Sequence, residues 1–151
     1  MIDFVDYTDP NTTIILLNTT IEGNIKTIGS IEVFGKVKGC LETDGLSSIY
    51  GCIDGNIDTR DLIARNNSII NGDISILYDG IISNSANVDG NIKCKNIEIW
   101  GHVKGNINAE DSVIIRSSAN IFGDIICRNL IVDQGSKLNG NVKLVYQFEK
   151  Y

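Results

Sequence analysis

The sequence contains one histidine, His102 in the segment GHVKG, and histidine is the side chain best suited to general acid–base chemistry near neutral pH. Its neighbours alternate between apolar and polar residues, which places His102 on the outer side of a predicted strand. We expect a single outward histidine to be solvated, and the less favoured alternative is the catalytic base of a small solenoid acyltransferase. We therefore predict no catalytic residue.

Two adjacent carboxylates occur in the segment EDS at 110–112, and paired carboxylates can perform acid–base catalysis. Solenoid lyases and glycosidases hold such groups in clefts that are walled by long loops, whereas every loop predicted here is short. The chain also has no Walker pattern and no Gly-x-Gly-x-x-Gly fingerprint, the motifs that hold nucleotide phosphates. We therefore expect a protein that is not an enzyme and that uses no cofactor and no nucleotide.

Composition and charge narrow the class of protein further. The chain of 151 residues is rich in Ile, Asn and Gly and nearly lacks Pro, Met, Trp and His, which favours short strands joined by tight turns. The net charge of −6 offers no basic surface for nucleic acid. The longest apolar run, IILL at 14–17, is too short to span a membrane, and the acidic start MIDFVDYTDP is unlike a secretory signal. We expect a cytoplasmic protein.

A seven-residue frame recurs along the chain: small, any, aliphatic, any, Gly, any, aliphatic. Its copies, such as ANVDGNI and ANIFGDI, begin at positions 19, 35, 51, 68, 86, 101, 119 and 136, so their spacing is regular but not constant. One unit cannot bury its apolar side alone, but stacked units pair their backbones about 4.8 Å apart and can do so. We predict an all-β parallel β-helix of about seven to eight short coils, a coil being one full circuit of the solenoid. A left-handed hexapeptide helix is the rival, but its rigid coil of three hexapeptides fits the uneven spacing poorly.

Each frame position should form a column along the solenoid. The sixth position is Asn or Asp in every copy except one, where it is Cys40, and these side chains either form a hydrogen-bonded ladder or merely tolerate the turn geometry. The seventh position is expected to form an inward aliphatic column of Ile25, Leu41, Ile57, Ile74, Ile92, Ile107, Ile125 and Val142. The fifth position is always glycine, which we expect to let the chain bend tightly around a narrow core. These structural glycines are Gly23, Gly39, Gly55, Gly72, Gly90, Gly105, Gly123 and Gly140.

The same columns place the four cysteines. Cys40 and Cys52 are predicted to point outward, whereas Cys94 and Cys127 share an inward position two coils apart. That separation is about 9.6 Å from the strand spacing, which is beyond the reach of a disulfide. Because the chain has no CxxC motif and no Cys/His cluster, we predict no metal site.

Three aromatic residues, Phe34, Tyr50 and Trp100, each precede a frame copy that begins with glycine. Phe34 and Tyr50 lie one coil apart and should stack on the outside of the solenoid. Outer aromatic residues either cover a corner of the coil or form lateral contacts, and we favour the first interpretation slightly.

The segments 19–45, 87–115 and 121–143 resemble the core of the bactofilin family through the motifs IEGNIK, GKVKGC, GHVKGN and NGNVK. The resemblance covers nearly the whole chain past Thr19. It implies a right-handed β-helix that polymerises end to end without nucleotide, and a bacterial cytoskeletal scaffold beside the membrane and the cell-wall machinery. This sequence departs from the usual family pattern in two ways. Its core is about one coil longer than usual. It also lacks long Pro-rich tails, which weakens the expectation that tails recruit partners.

The ends of the solenoid are the predicted functional sites. We divide the chain into a tail with a candidate first strand (1–18), a β-helix core (19–148) and a short tail (149–151). Neither terminus shows an amphipathic helix that would cap the unpaired backbone and apolar core of an end. At both ends, strict alternation predicts that every second side chain continues to point inward. The family resemblance also implies a phenylalanine at the C-terminal subunit contact, for which Phe148 is the nearest match. The predicted polymer interface consists of Phe148, Tyr146, Leu144, Ile15 and Leu17.

The leading hypothesis is a filament-forming scaffold whose main partner is another copy of itself. The resemblance implies a location in the cytoplasm, peripheral to the inner face of the membrane, and a link to cell shape or cell-wall synthesis. The acidic N-terminal segment itself predicts weak or no binding to liposomes. The alternative is a small solenoid enzyme, acyltransferase-like or active on polysaccharides. Electron microscopy without nucleotide separates the two, because the enzyme would form discrete trimers that bind acyl-CoA.

Overall fold

In a computed structural model that describes residues 11–146, every regular element is a β-strand. The strands wind into about eight coils, and each coil pairs in parallel with the coils before and after it. Short runs of Ile, Val and Thr that alternate with polar residues form these strands, because β-branched side chains suit a pleated, half-buried surface. The predicted all-β parallel β-helix is confirmed, and its right-handedness remains a prediction.

Three strand positions recur in each coil and give the solenoid three faces. Face A contains β2 (Thr20–Glu22), β5 (Lys36–Lys38), β8 (Cys52–Asp54), β11 (Ile69–Asn71), β14 (Asn87–Asp89), β16 (His102–Lys104), β18 (Asn120–Phe122) and β21 (Lys137–Asn139). Face B contains β3 (Ile25–Thr27), β6 (Leu41–Thr43), β9 (Ile57–Thr59), β12 (Ile74–Ile76), β19 (Ile125–Cys127) and β22 (Val142–Leu144). Face C contains β1 (Thr13–Ile15), β4 (Ile31–Val33), β7 (Leu46–Ile49), β10 (Asp61–Ala64), β13 (Asp79–Ile82) and β20 (Asn129–Val132). Two longer strands, β15 (Ile92–Ile99) and β17 (Ile107–Ile115), cross both faces B and C and join them into one 14-stranded sheet beside the eight-stranded sheet of face A.

The inward side chains of the three faces fill the interior. The predicted aliphatic column is buried from Leu41 to Ile125, but Ile25 is half-buried and Val142 is exposed. The two end members lose their cover because a terminal coil has a neighbour on one side only. Burying one such side chain stabilises the fold by about 1.5–3 kcal/mol, so the repeated stacking provides the core that a single coil lacks.

Other predicted placements are also confirmed. Cys94 and Cys127 are buried in the interior, and both are free thiols. The rings of Phe34 and Tyr50 stack on the outside, with centroids 4.2 Å apart and planes 11° from parallel. Inward and outward positions follow the period-2 alternation along each face, and the alternation is interrupted within β15 and β17 where these strands cross the corner between faces B and C.

The corner between faces C and A occurs in two lengths. In the short form two residues join the strands, as at Phe34 and Gly35, whereas the long form uses four residues, as at 65–68. The long form at 65–68 is closed by a hydrogen bond from the Ser68 N–H to the Arg65 carbonyl oxygen (3.1 Å) and contains Asn67 at φ 67°. The long form adds two residues to a coil.

The corner between faces B and C varies by one residue. Consecutive inward side chains across it are three residues apart at Thr59 and Leu62, but four apart at Ile76 and Gly80. A coil in which both corners are short leads from position 87 to its partner at 102. A coil in which both are long leads from position 69 to its partner at 87. Insertions at the corners thus explain the uneven spacing and leave the strand register intact, without a rigid hexapeptide coil.

A long corner also contradicts the inward orientation that was predicted for Leu17. The alternation of Ile15, Leu17, Thr19 and Ile21 predicts that all four side chains point inward. Ile15 is 5% exposed, but Leu17 is 70% exposed because it lies in the corner between β1 and β2, beside Asn18 at φ 67°. The corner breaks the alternation, so Leu17 is not part of the core.

The frame glycines lie at the corner between faces A and B, where each coil stacks on the previous one. They are half-exposed or exposed, and their role in bending the chain around the core stays a prediction. From Gly39 to Gly140, a Cβ would overlap the carbonyl oxygen of the frame glycine one coil earlier. Seven of the eight also have φ between 135° and 158°, a region that L side chains rarely adopt. Close backbone stacking and this φ together require glycine.

The residue after each frame glycine forms a ladder, so the first of the two open interpretations is confirmed in a specific form. The backbone N–H of Asn91 donates to Oδ1 of Asp73, and the N–H of Asn106 donates to Oδ1 of Asn91, both at 2.9 Å. The bonds run from side chain to backbone, so Asn and Asp serve equally as acceptors. Cys40 donates its N–H to Asn24 but has no side-chain oxygen to continue the ladder.

Substitution of Gly90 by Ala should lower the free energy of unfolding by on the order of 2–5 kcal/mol, because backbone strain and steric overlap add. Gly23→Ala is the matched control: Gly23 has φ 135°, but no heavy atom of residues 11–146 lies within 4 Å of the position that a Cβ would occupy. The control should show only the strain, about 1–3 kcal/mol. Urea denaturation followed by circular dichroism measures both. Equal losses would show that the stacking overlap contributes nothing.

Candidate functional site

The last coil leaves its inward side chains exposed. Leu144 pairs with Cys127 of the preceding coil, yet Leu144 is 53% exposed whereas Cys127 is buried. On face C, Val132 is half exposed, although its partner Ile115 is fully buried. These side chains form an apolar cross-section of the core, here named the C-terminal slice. It consists of Leu130, Val132, Leu138, Val142 and Leu144.

The first coil presents a comparable surface at the opposite end. Ile21 and Ile25 hold inward positions but are only half-buried, because no described coil precedes them. Two corner residues, Leu17 and Ile28, are the most exposed aliphatic side chains of this coil, and Ile28 is 81% exposed. We name these four residues the N-terminal slice.

Each end also has strands with one pairing partner. Within residues 11–146, β20, β21 and β22 pair only with the preceding coil, and β1, β2 and β3 pair only with the following one. An edge strand presents backbone N–H and C=O groups that another strand can pair with. Both ends therefore combine an apolar surface with directional hydrogen-bonding groups.

The five residues predicted for the polymer interface have different positions. Leu144 lies in the C-terminal slice and Leu17 in the N-terminal slice, whereas Ile15 is buried and offers little surface. Tyr146 follows the end of β22 and is 73% exposed, and Phe148 lies outside the described residues.

Sequence reasoning did not single out four further members of the C-terminal slice as interface residues: Leu130, Val132, Leu138 and Val142. A signal for them was present, because they hold the inward positions of the last frame copy and of the strand before it. The exposure of an inward position depends on whether another coil follows.

The residues that could perform chemistry do not converge. His102 is exposed on face A, and Glu110 and Asp111 lie at the corner between faces B and C. Among residues 11–146, no three His, Cys, Asp or Glu side chains are grouped as metal ligands would be. Burial raises the pKa of the Cys94 thiol to about 12, with smaller contributions from the carboxylates of Asp79 and Glu110. Such a thiol is not a nucleophile at neutral pH.

The part of the chain that the structure describes includes no helix of the length and apolarity needed to cross a membrane.

The sequence matches the model of the bactofilin family, described as polymer-forming cytoskeletal, over residues 52–143. The match covers more than half of the chain, and this protein therefore belongs to the bactofilin family. The match begins at face A of the third coil, and the same strand positions continue through the two coils before it. No curated protein and no solved structure matches the chain significantly.

The Cys94 thiol should make the stability of the fold depend on pH in the alkaline range. Its folded-state pKa of about 12 lies above the ordinary value of 9.0, so the folded state holds the proton more tightly than the unfolded chain does. The resulting stability is complete below pH 9 and is lost as the pH rises towards 12. Urea denaturation across this range should show a steeper loss for the parent than for Cys94→Ala. Parallel curves would contradict the assignment.

Proposed function

We propose that this bactofilin assembles end to end into filaments and serves as a cytoskeletal scaffold in the cytoplasm. Its partner in this assembly is a second copy of the same chain. The observation that carries the proposal is the C-terminal slice, a fully formed layer of core whose covering coil is missing from the described chain.

Two properties of the ends favour an open chain of subunits. Each solenoid has a slice and a set of edge strands at both ends, so one subunit can contact two others. The two ends face in opposite directions along one axis, and contacts of this kind propagate into filaments when no rotation closes a ring. The backbone edges add hydrogen bonds to the apolar contact, as a further coil would.

The family resemblance supports a role at the inner face of the membrane, linked to cell shape or cell-wall synthesis. No feature of residues 11–146 identifies a lipid-binding segment, so we assign the membrane connection to partner proteins. The direct interaction of the solenoid is with its own copies.

Leu144→Arg should abolish filaments, because the subunit contact would then bury an unpaired charge. The variant should still fold, since Leu144 is half exposed in the single solenoid. Ile126→Arg is the matched control: Ile126 lies one coil earlier on the outside of face B and is 37% exposed. Electron microscopy and sedimentation should show filaments for the control and single subunits or small oligomers for Leu144→Arg.

Filaments of a folded Leu144→Arg variant would remove the C-terminal slice from the contact, and loss of filaments in Ile126→Arg as well would point to a general effect of charge. Phe148→Arg extends the test beyond the described residues. It should also abolish filaments while circular dichroism shows an intact fold, and an unfolded variant would favour a role of Phe148 as an intrachain cap.

Assembly should need no ATP, GTP or metal ion, because the sequence contains no phosphate-binding motif. The amount of pelleted protein should be equal in buffer alone, with each nucleotide, and with EDTA. A requirement for any of these additions would overturn this part of the proposal.

A further inference from the structure

The dipeptide Asn-Gly occurs twice in the sequence, as Asn71-Gly72 and as Asn139-Gly140. In both copies the glycine is a frame glycine, and the asparagine is the last residue of a face A strand, β11 or β21. Both asparagines hold an outward position and are exposed. The two sites therefore share their residues and their place in the coil, and they differ in whether a described coil follows.

An Asn-Gly step can undergo an intramolecular reaction that needs only water as a second reactant. The backbone nitrogen of the glycine loses its proton and attacks Cγ of the asparagine, so that an N–Cγ bond forms, the Cγ–Nδ2 bond breaks and ammonia leaves. Water then opens the resulting succinimide ring at either carbonyl, which gives aspartate or isoaspartate. No oxidant or reductant takes part. Glycine favours the reaction because it has no side chain to obstruct ring closure and its backbone is the most permissive.

The site at Asn71 is protected because its reacting nitrogen is held between two coils. The Gly72 N–H donates to the carbonyl oxygen of Asp89 in the following coil (3.0 Å). The strand β11 pairs with β8 on one side and with β14 on the other. Ring closure needs a rotation of the backbone at Asn71, which these pairings prevent. The reaction there requires local opening of a central strand, and such opening costs much of the global free energy of unfolding.

The site at Asn139 lacks this protection in the single solenoid. Within residues 11–146, β21 pairs only with β18, and no carbonyl oxygen accepts the Gly140 N–H. The seven other frame glycines all donate this hydrogen bond to the coil that follows. Leu138 in the middle of β21 is half-buried, whereas its counterpart Ile70 in β11 is fully buried. An edge strand with so little burial opens more readily than a central one.

We propose that Asn139 is a site of spontaneous deamidation in solenoids whose C-terminal end is uncovered, and that the end-to-end contact protects it. The protection rests on the proposed function, because a stacked subunit would give β21 a second partner and the Gly140 N–H an acceptor. Asn71 lies inside the solenoid in both states and keeps its amide in both.

Modification of Asn139 would make the end unfit for stacking. Isoaspartate adds one atom to the main chain, so β21 would lose its register with Asn120, Ile121 and Phe122 of β18. Gly140 would move from its place against the Gly123 carbonyl oxygen, where there is no room even for a Cβ. Subunits that stay unassembled would therefore lose their competence with age, whereas subunits within filaments would keep it.

The first test compares the two sites within one molecule. Single solenoids are obtained with Leu144→Arg and, independently, by dilution of the parent below its assembly concentration. After incubation in mildly alkaline buffer, mass spectrometry and labelling by an isoaspartate methyltransferase should show that Asn139 reacts at least about tenfold faster than Asn71, since only Asn71 needs a central strand to open. The rate should rise with pH, because the attacking nitrogen must lose its proton. Equal rates at the two sites would overturn the proposal.

The second test measures protection by assembly. In filaments of the parent, Asn139 should react at least about tenfold more slowly than in single solenoids, because β21 is then no longer an edge strand. Equal rates in filaments and single solenoids would overturn the protection. If the parent forms no filaments at all, the proposed function and the protection fail together, and the first test still decides whether Asn139 is a deamidation site.

The third test measures the consequence for assembly. Parent protein that is aged as single solenoids should lose its ability to form filaments when it is concentrated. Asn139→Gln, aged in the same way, should assemble fully, because glutamine closes the corresponding six-membered ring far more slowly. Asn71→Gln is the matched control and should lose assembly as the parent does. Equal loss in aged Asn139→Gln, or full assembly of the parent after Asn139 has reacted, would overturn the role of Asn139 in assembly.

Discussion

The parallel stacking of one coil on the next is the interaction on which the rest of the structure depends. Backbones about 4.8 Å apart leave no room for a Cβ between Gly72 and Gly90, so the frame keeps glycine there. The same spacing lets an Asn or Asp oxygen reach the N–H of the next coil. It also explains why corners absorb insertions, because an insertion in a strand would shift the register of every neighbouring coil.

Stacking leaves the first and last coils of residues 11–146 with a neighbour on one side only. The interior of the solenoid buries Cys127, but the equivalent Leu144 in the last coil remains exposed. A second subunit stacked on this end would cover the inward side chains of the last coil, as each following coil covers those of the coil before it. In the proposed end-to-end assembly, the contact between subunits would therefore repeat the contact that stabilises the fold.

Much of the architecture was accessible from the sequence, because a repeated frame with period-2 alternation specifies which side chains point inward. The buried column from Leu41 to Ile125 and the stacked rings of Phe34 and Tyr50 were predicted in this way. The inward orientation predicted for Leu17 was wrong, because the four-residue corner between β1 and β2 interrupts the alternation. The glycines were singled out as bends of the chain, and the sequence could not show the carbonyl oxygen of the coil beneath each of them.

The sequence by itself determined the number of coils, the inward columns and the membership of the family. Only the tertiary structure decided which members of those columns form the exposed slices, because exposure depends on the presence of a following coil. It also decided that Ile63, Ile81, Arg65 and Tyr50 share one surface. These residues are far apart along the chain, and they become neighbours only because coils of unequal length keep their strands stacked in register.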